Sequence, residues 1–91
     1  MPAIYRVPVE EYFNWQRPVI AFLATPPGGP AKGDRYIVDA GATDAWVGRT
    51  DQLAWFDGSV WQFDVPVAGC GVFDIATATF FFYIAGTWTP Y

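Results

Sequence analysis

Leu53-Ala54-Trp55-Phe56-Asp57-Gly58-Ser59-Val60-Trp61-Gln62-Phe63 sets two apolar, aromatic-rich runs on either side of Asp-Gly, a strong short-range signal for a β-hairpin. Working outward, Phe81-Phe82-Tyr83-Ile84-Ala85-Gly86-Thr87-Trp88-Thr89-Pro90-Tyr91 repeats the scheme of apolar strand, turn with glycine, then tryptophan. A two-residue turn at Ala85-Gly86 sets Tyr83 opposite Trp88 on one face. The same turn at Asp57-Gly58 would pair Trp55 with Val60 and send Trp61 to the other face. A three-residue loop with a bulge would return Trp55 and Trp61 to a shared face. The repeat favours this second option, so each hairpin is expected to carry one aromatic pair.

The remaining chain supports the same class. Arg35–Val38, Ala45–Val47 and Gly71–Asp74 read as short strands bounded by turn residues, Val19–Leu23 reads as another, and Val65-Pro66 breaks the first hairpin. Two Leu, two Glu and one Lys leave little to favour helix. The expectation is an all-β domain over 31–91, built of short antiparallel strands and hairpins and sandwich- or barrel-like. Residues 1–30 hold six of the eight prolines, which fix φ and remove backbone donors. That segment is therefore read as an extended arm, with a helix of about two turns after Pro8, through Glu10 to Gln16, where acidic residues suit the first turn.

Ninety-one residues allow one domain. With 53% hydrophobic and 20% aromatic residues, the chain is too apolar for disorder and too aromatic for a small monomer to hide every ring. A net charge of −4 with no basic block argues against nucleic acid, because phosphate backbones require clustered cations. The absence of histidine removes Ser-His and Cys-His pairs and His-ligated zinc. Cys70 is the single cysteine, so neither an internal disulfide nor a thiolate cage can form, and it reads as a small buried hydrophobe. No apolar segment reaches the ~20 residues of a membrane helix and Met1-Pro2-Ala3 opens no secretory signal, so a soluble protein made in a cytoplasm is expected.

Paired aromatics on a β-face have two readings. They can be core, or they can form a platform on which the C–H faces of sugar rings stack; Trp55, Trp61, Tyr83 and Trp88 are the candidates for a ligand or interface role. Asp34, Asp39, Asp44, Asp51, Asp57, Asp64 and Asp74 fall mostly at strand ends, where Asp bonds nearby backbone N–H groups. A hydrolytic acid–base pair is not expected from so shallow a domain, and their scatter does not match a calcium loop. No enzyme activity, metal or cofactor is assigned.

The segments FNWQRPV (Phe13–Val19) and PPGGPAKGDRYIVDAGATDAWVGRTDQLAWFDGSVWQFDVP (Pro26–Pro66) carry a resemblance. They are similar to a domain family of unknown function that recurs in tail-fibre and host-contact proteins of tailed bacteriophages and gene transfer agents. The match falls on Phe13, Trp15, Gln16, Pro26, Pro27, Pro30, Gly33 to Val38, Ala42, Thr43, Ala45, Trp46 and Gly48. It continues through Leu53, Ala54, Asp57, Gly58, Trp61, Phe63, Pro66 and Gly69, and the closing hairpin is similar to endings of phage fibre segments.

The resemblance implies a setting and no catalytic residues. The expected function is a virion structural protein, a subunit of a tail fibre, spike or head fibre that contacts the host surface; the alternative is a glycan-binding module. The expected partners are further copies of the chain, with a trimer favoured, other virion proteins, and host surface glycan. Neither nucleic acid nor membrane insertion is expected, and the location is the virion, assembled in the host cytoplasm. Tyr5, Tyr12, Phe13, Trp15 and Phe22 of the arm are the candidate residues for docking onto the virion or a neighbouring subunit.

Overall fold

The computed structural model describes residues 14–91, with side chains from Gln16 onward. The described chain is all-β. Eight strands run in the order β1 (Asn14–Trp15), β2 (Ala21–Leu23), β3 (Arg35–Val38), β4 (Leu53–Phe56), β5 (Trp61–Asp64), β6 (Cys70–Asp74), β7 (Thr79–Ile84) and β8 (Thr87–Pro90), with a 3-10 turn at Asp44–Trp46 between β3 and β4. They form two four-stranded sheets, of order β1-β6-β7-β8 and β2-β3-β4-β5. Pairing is antiparallel except for the first strand of each sheet: β1 lies parallel to β6 and β2 parallel to β3. The two related hairpins are thus divided, one to each sheet.

Side-chain alternation explains the core. Ile37 and Leu53 are cross-strand partners on one face of the second sheet, and Cys70, Val72 and Trp88 alternate inward from the first. With Val19 they form the inter-sheet core, against which Phe22, Phe81 and Tyr83 pack. The opposite face of the second sheet is also covered. Tyr36, Val38 and Ala54 sit beneath Trp46, which the 3-10 turn lowers onto the sheet, and Trp61 and Phe63 extend this layer. A strand buried on both faces reads as a continuous apolar run, which is how Tyr36-Ile37-Val38 reads.

Several expectations are corrected here. Ala45–Val47 is no strand: Trp46 N–H donates to the Thr43 carbonyl and Arg49 N–H to that of Trp46, curling the segment so that the indole reaches the sheet. Asn14–Trp15 is a strand where a helix was expected; its backbone pairs with Cys70 and Gly71, so inter-strand bonds replace intrahelical ones. The rest of that helix reading lies outside the described residues.

The first hairpin also differs from expectation. Phe56 pairs with Trp61 and Trp55 with Gln62, which leaves a four-residue loop, Asp57 to Val60. With that register Trp55 and Trp61 lie on opposite faces of the sheet. The Asp57 carboxylate explains the choice: its Oδ1 accepts from the N–H groups of Ser59 and Val60 at 2.8 and 2.9 Å, satisfying donors that a tighter turn would bond to backbone. The second hairpin follows its expected register, with Tyr83 opposite Trp88 across Ala85-Gly86.

Residues 14–23 are woven into both sheets. β2 adds to β3, while Val19 bridges to Asp74 and donates its N–H to the Phe73 carbonyl at 2.9 Å. This crossing strap is how the start of the described chain joins the two layers.

Candidate functional site at the mouth of the sheets

The aromatic candidates separate by environment. Trp88 is 8% exposed, and its ring lies 5.2 Å from that of Tyr83 and 6.4 Å from that of Phe22. Its indole N–H donates to the Asp51 carbonyl at 2.8 Å. Tyr83 and Phe22 pack against the same core, and Phe22 stacks obliquely on Phe81 at 4.7 Å. Trp61 belongs to the outer layer: its ring meets those of Trp46, Phe56 and Tyr36 at 5.1, 5.2 and 6.0 Å in edge-to-face geometry. Arg49 lies over Phe63 in the same layer, 4.6 Å from the ring centroid. Trp15 contributes backbone pairing to Gly71; Tyr5, Tyr12 and Phe13 lie outside the described residues.

Trp55 stands apart. It is half-buried and stacks on no other ring among the described residues. Its cross-strand neighbours are Arg35 on β3 and Gln62 on β5, so the three side chains form a polar–aromatic–polar row on the inward face of the second sheet. Asp64 follows Gln62 on the same face by strand alternation, opposite Leu53. The row therefore lies at the mouth of the inter-sheet space, where the core of Ile37, Leu53 and Cys70 gives way to polar groups.

Hydrogen bonding within this row is incomplete. The Arg35 guanidinium gives one bond from Nη2 to Gln16 Oε1, at a long 3.3 Å, while its Nε is buried with no acceptor. Burial lowers the Arg35 pKa, and Arg17 lowers it further; Asp64 and Cys70 oppose these effects. No ion pair completes it among the described residues. Gln62 spends its amide on Asp57 Oδ2 at 2.9 Å, which keeps its carbonyl oxygen available. Asp64 is exposed.

Most other carboxylates are occupied with turns. Asp34 accepts from Ala31 N–H and Asp39 from Ala40 N–H, as expected for strand-end Asp, while Asp74 accepts from the Thr77 hydroxyl instead of a backbone N–H. Cys70 is buried, and burial pushes its thiol pKa up despite hydrogen bonds with Gln16 and Val67 and the nearby Arg35 charge. It behaves as core. The sequence flagged Trp55 but missed Arg35, Gln62 and Asp64; alternation about the hairpin would have found Gln62 and Asp64 once the four-residue loop was known, whereas Arg35 comes from β3.

No curated protein and no solved structure matches the chain. A family model, described as a protein of unknown function (DUF2793), matches residues 19–89, from the strap through the last strand, and the chain belongs to that family.

Proposed function

We propose that the chain is a non-enzymatic subunit of a phage tail fibre, spike or head fibre that assembles with further copies of itself, a trimer being favoured. The single observation that carries this reading is the distribution of charge. From Val65 to Tyr91 the only charged residue is Asp74, and it is 2% exposed. The surface built by β6, β7 and β8 is therefore uncharged, and Phe80, Ile84 and Tyr91, on its outer side, are 45, 52 and 92% exposed.

An apolar face free of charge suits a second copy of the same chain. Symmetry mates bring no unpaired charge into contact, and the remaining acidic surface keeps the assembly soluble. The motif resemblance to tail-fibre and host-contact domains supports the phage setting.

Size-exclusion chromatography with light scattering on the full chain tests the assembly. A stable trimer or larger ring is expected, with dissociation in the Ile84→Glu variant. A chain that stays monomeric at all concentrations would overturn the self-assembly reading. Mass spectrometry of purified phage particles from a strain carrying the gene tests the setting: the chain is expected among the particle proteins, and its absence would overturn the phage reading.

A further inference from the structure

We infer that Arg35, Trp55, Gln62 and Asp64 form a binding subsite for a neutral pyranose. The inference does not depend on the oligomer proposed above, because the row is built within one chain and on the other sheet.

Three observations carry it. Trp55 presents an aromatic surface that no other described ring covers, whereas Trp46, Trp61 and Trp88 are packed into aromatic or core contacts. Sugar C–H faces stack on such a surface because they are apolar and weakly positive against the negative face of the indole. Next, the flanking groups carry unspent capacity of both signs. Arg35 has donors beyond its one long bond to Gln16, Gln62 retains its carbonyl oxygen, and Asp64 supplies a carboxylate. A sugar hydroxyl both donates and accepts, so it can bridge such a mixed set. Last, neighbouring strands lie ~4.8 Å apart, which spaces Arg35 and Gln62 about 10 Å across the sheet with Trp55 midway. That spacing sets a polar group on each side of the indole.

The charge pattern selects a neutral ring. An anion would find Arg35 but also face Asp64 and the net charge of −4. The bond from Arg35 Nη2 to Gln16 Oε1 gives the guanidinium one fixed contact before a ligand arrives.

The test follows the tryptophan indole N–H signals of the full chain by NMR. The probes are methyl glycosides of glucose, galactose, mannose and N-acetylglucosamine, with methyl glucuronide as the anionic arm. At least one neutral glycoside is expected to move the Trp55 indole and the Gln62 amide while the Trp88 indole stays in place. Arg35→Gln and Asp64→Asn should each weaken that binding about tenfold, the scale of one hydrogen bond to a charged group. The unmoved Trp88 signal reports that both variants remain folded, which also covers the case in which Trp55→Ala does not fold. Three results would overturn the inference: no glycoside moves the Trp55 indole, only the glucuronide does, or binding survives both variants unchanged.

Discussion

Trp88 on edge strand β8 donates its indole N–H to the backbone carbonyl of Asp51, 37 residues away and just ahead of β4. The N–H of Asp51 in turn donates to the Val38 carbonyl on β3 at 2.7 Å. One residue thus receives a bond from the first sheet and gives one to the second, latching the two layers where a hydrophobic interface alone would fix no register. Asp51 holds a left-handed φ of 71° to do so.

Replacing Trp88 by Phe keeps an aromatic ring in the core and removes the donor. The expected loss is about 1–3 kcal/mol, because the Asp51 carbonyl then loses its partner. Trp88→Ala should cost about 3–5 kcal/mol through the added cavity. Urea denaturation followed by circular dichroism measures both, and a Phe variant as stable as the parent would show that the latch contributes nothing.

The turn of the second hairpin is under local strain. Ala85 and Gly86 have φ of 55° and 80°, the left-handed pair of a type I′ turn, and Ala at the first position carries a steric cost that Asn largely avoids. Ala85→Asn is expected to stabilise by about 1 kcal/mol, a rise of ~4–8 °C in the thermal midpoint for a domain of this size. Scanning calorimetry reads it directly.

Asp57 gives stability a pH dependence. The Val60 N–H, then the Gln62 amide and the Ser59 N–H, hold its carboxyl below the ordinary carboxylate value, with a smaller attraction from Lys32. A pKa depressed by folding means that the contribution is complete above the unfolded value, near ~3.9, and is lost as pH falls through the folded value. Thermal midpoints of the parent and Asp57→Ala should therefore differ at neutral pH and converge as pH falls through the folded value. Curves that stay parallel across the range would exclude this linkage.

Cys70 should be inert in the native state. It is 1% exposed and burial raises its thiol pKa, so little thiolate is available and reagent cannot reach it. Ellman's reagent is expected to label it only through unfolding, at a rate that rises with urea as the unfolding rate does. Fast labelling in native buffer would mean that the pairing of β1 with β6 opens locally.

Much of the fold was legible because it depends on local chemistry. The Ala85-Gly86 turn fixes its own register, since two residues with positive φ join antiparallel strands in only one way, and Tyr83 met Trp88 as the spacing required. Arg35–Val38 was equally plain, a β-branched run after Gly-Asp. The first hairpin was misread because its likeness to the second favoured a three-residue loop with a bulge, and the side chain of Asp57 instead held a four-residue loop. The useful signal was Asp at the first loop position, whose carboxylate accepts the backbone N–H two residues on. Trp46 was misread for a different reason: a short Ala-Trp-Val run is a strand by propensity, and the demand for a cover over Tyr36 and Val38 overrode it.

The sequence by itself determined the all-β class, the turn of the second hairpin, the role of most carboxylates and the buried state of Cys70, because backbone sterics and short-range hydrogen bonds act over a few residues. Only the tertiary structure decided which aromatics are core and which face outward. That choice rests on strand parity, and one residue more or less in the loop from Asp57 to Val60 moves Trp61 from one face of the sheet to the other. It also decided that Arg35 and Gln62, far apart in the chain, flank Trp55, since cross-strand neighbours are set by pairing between segments that no local pattern specifies.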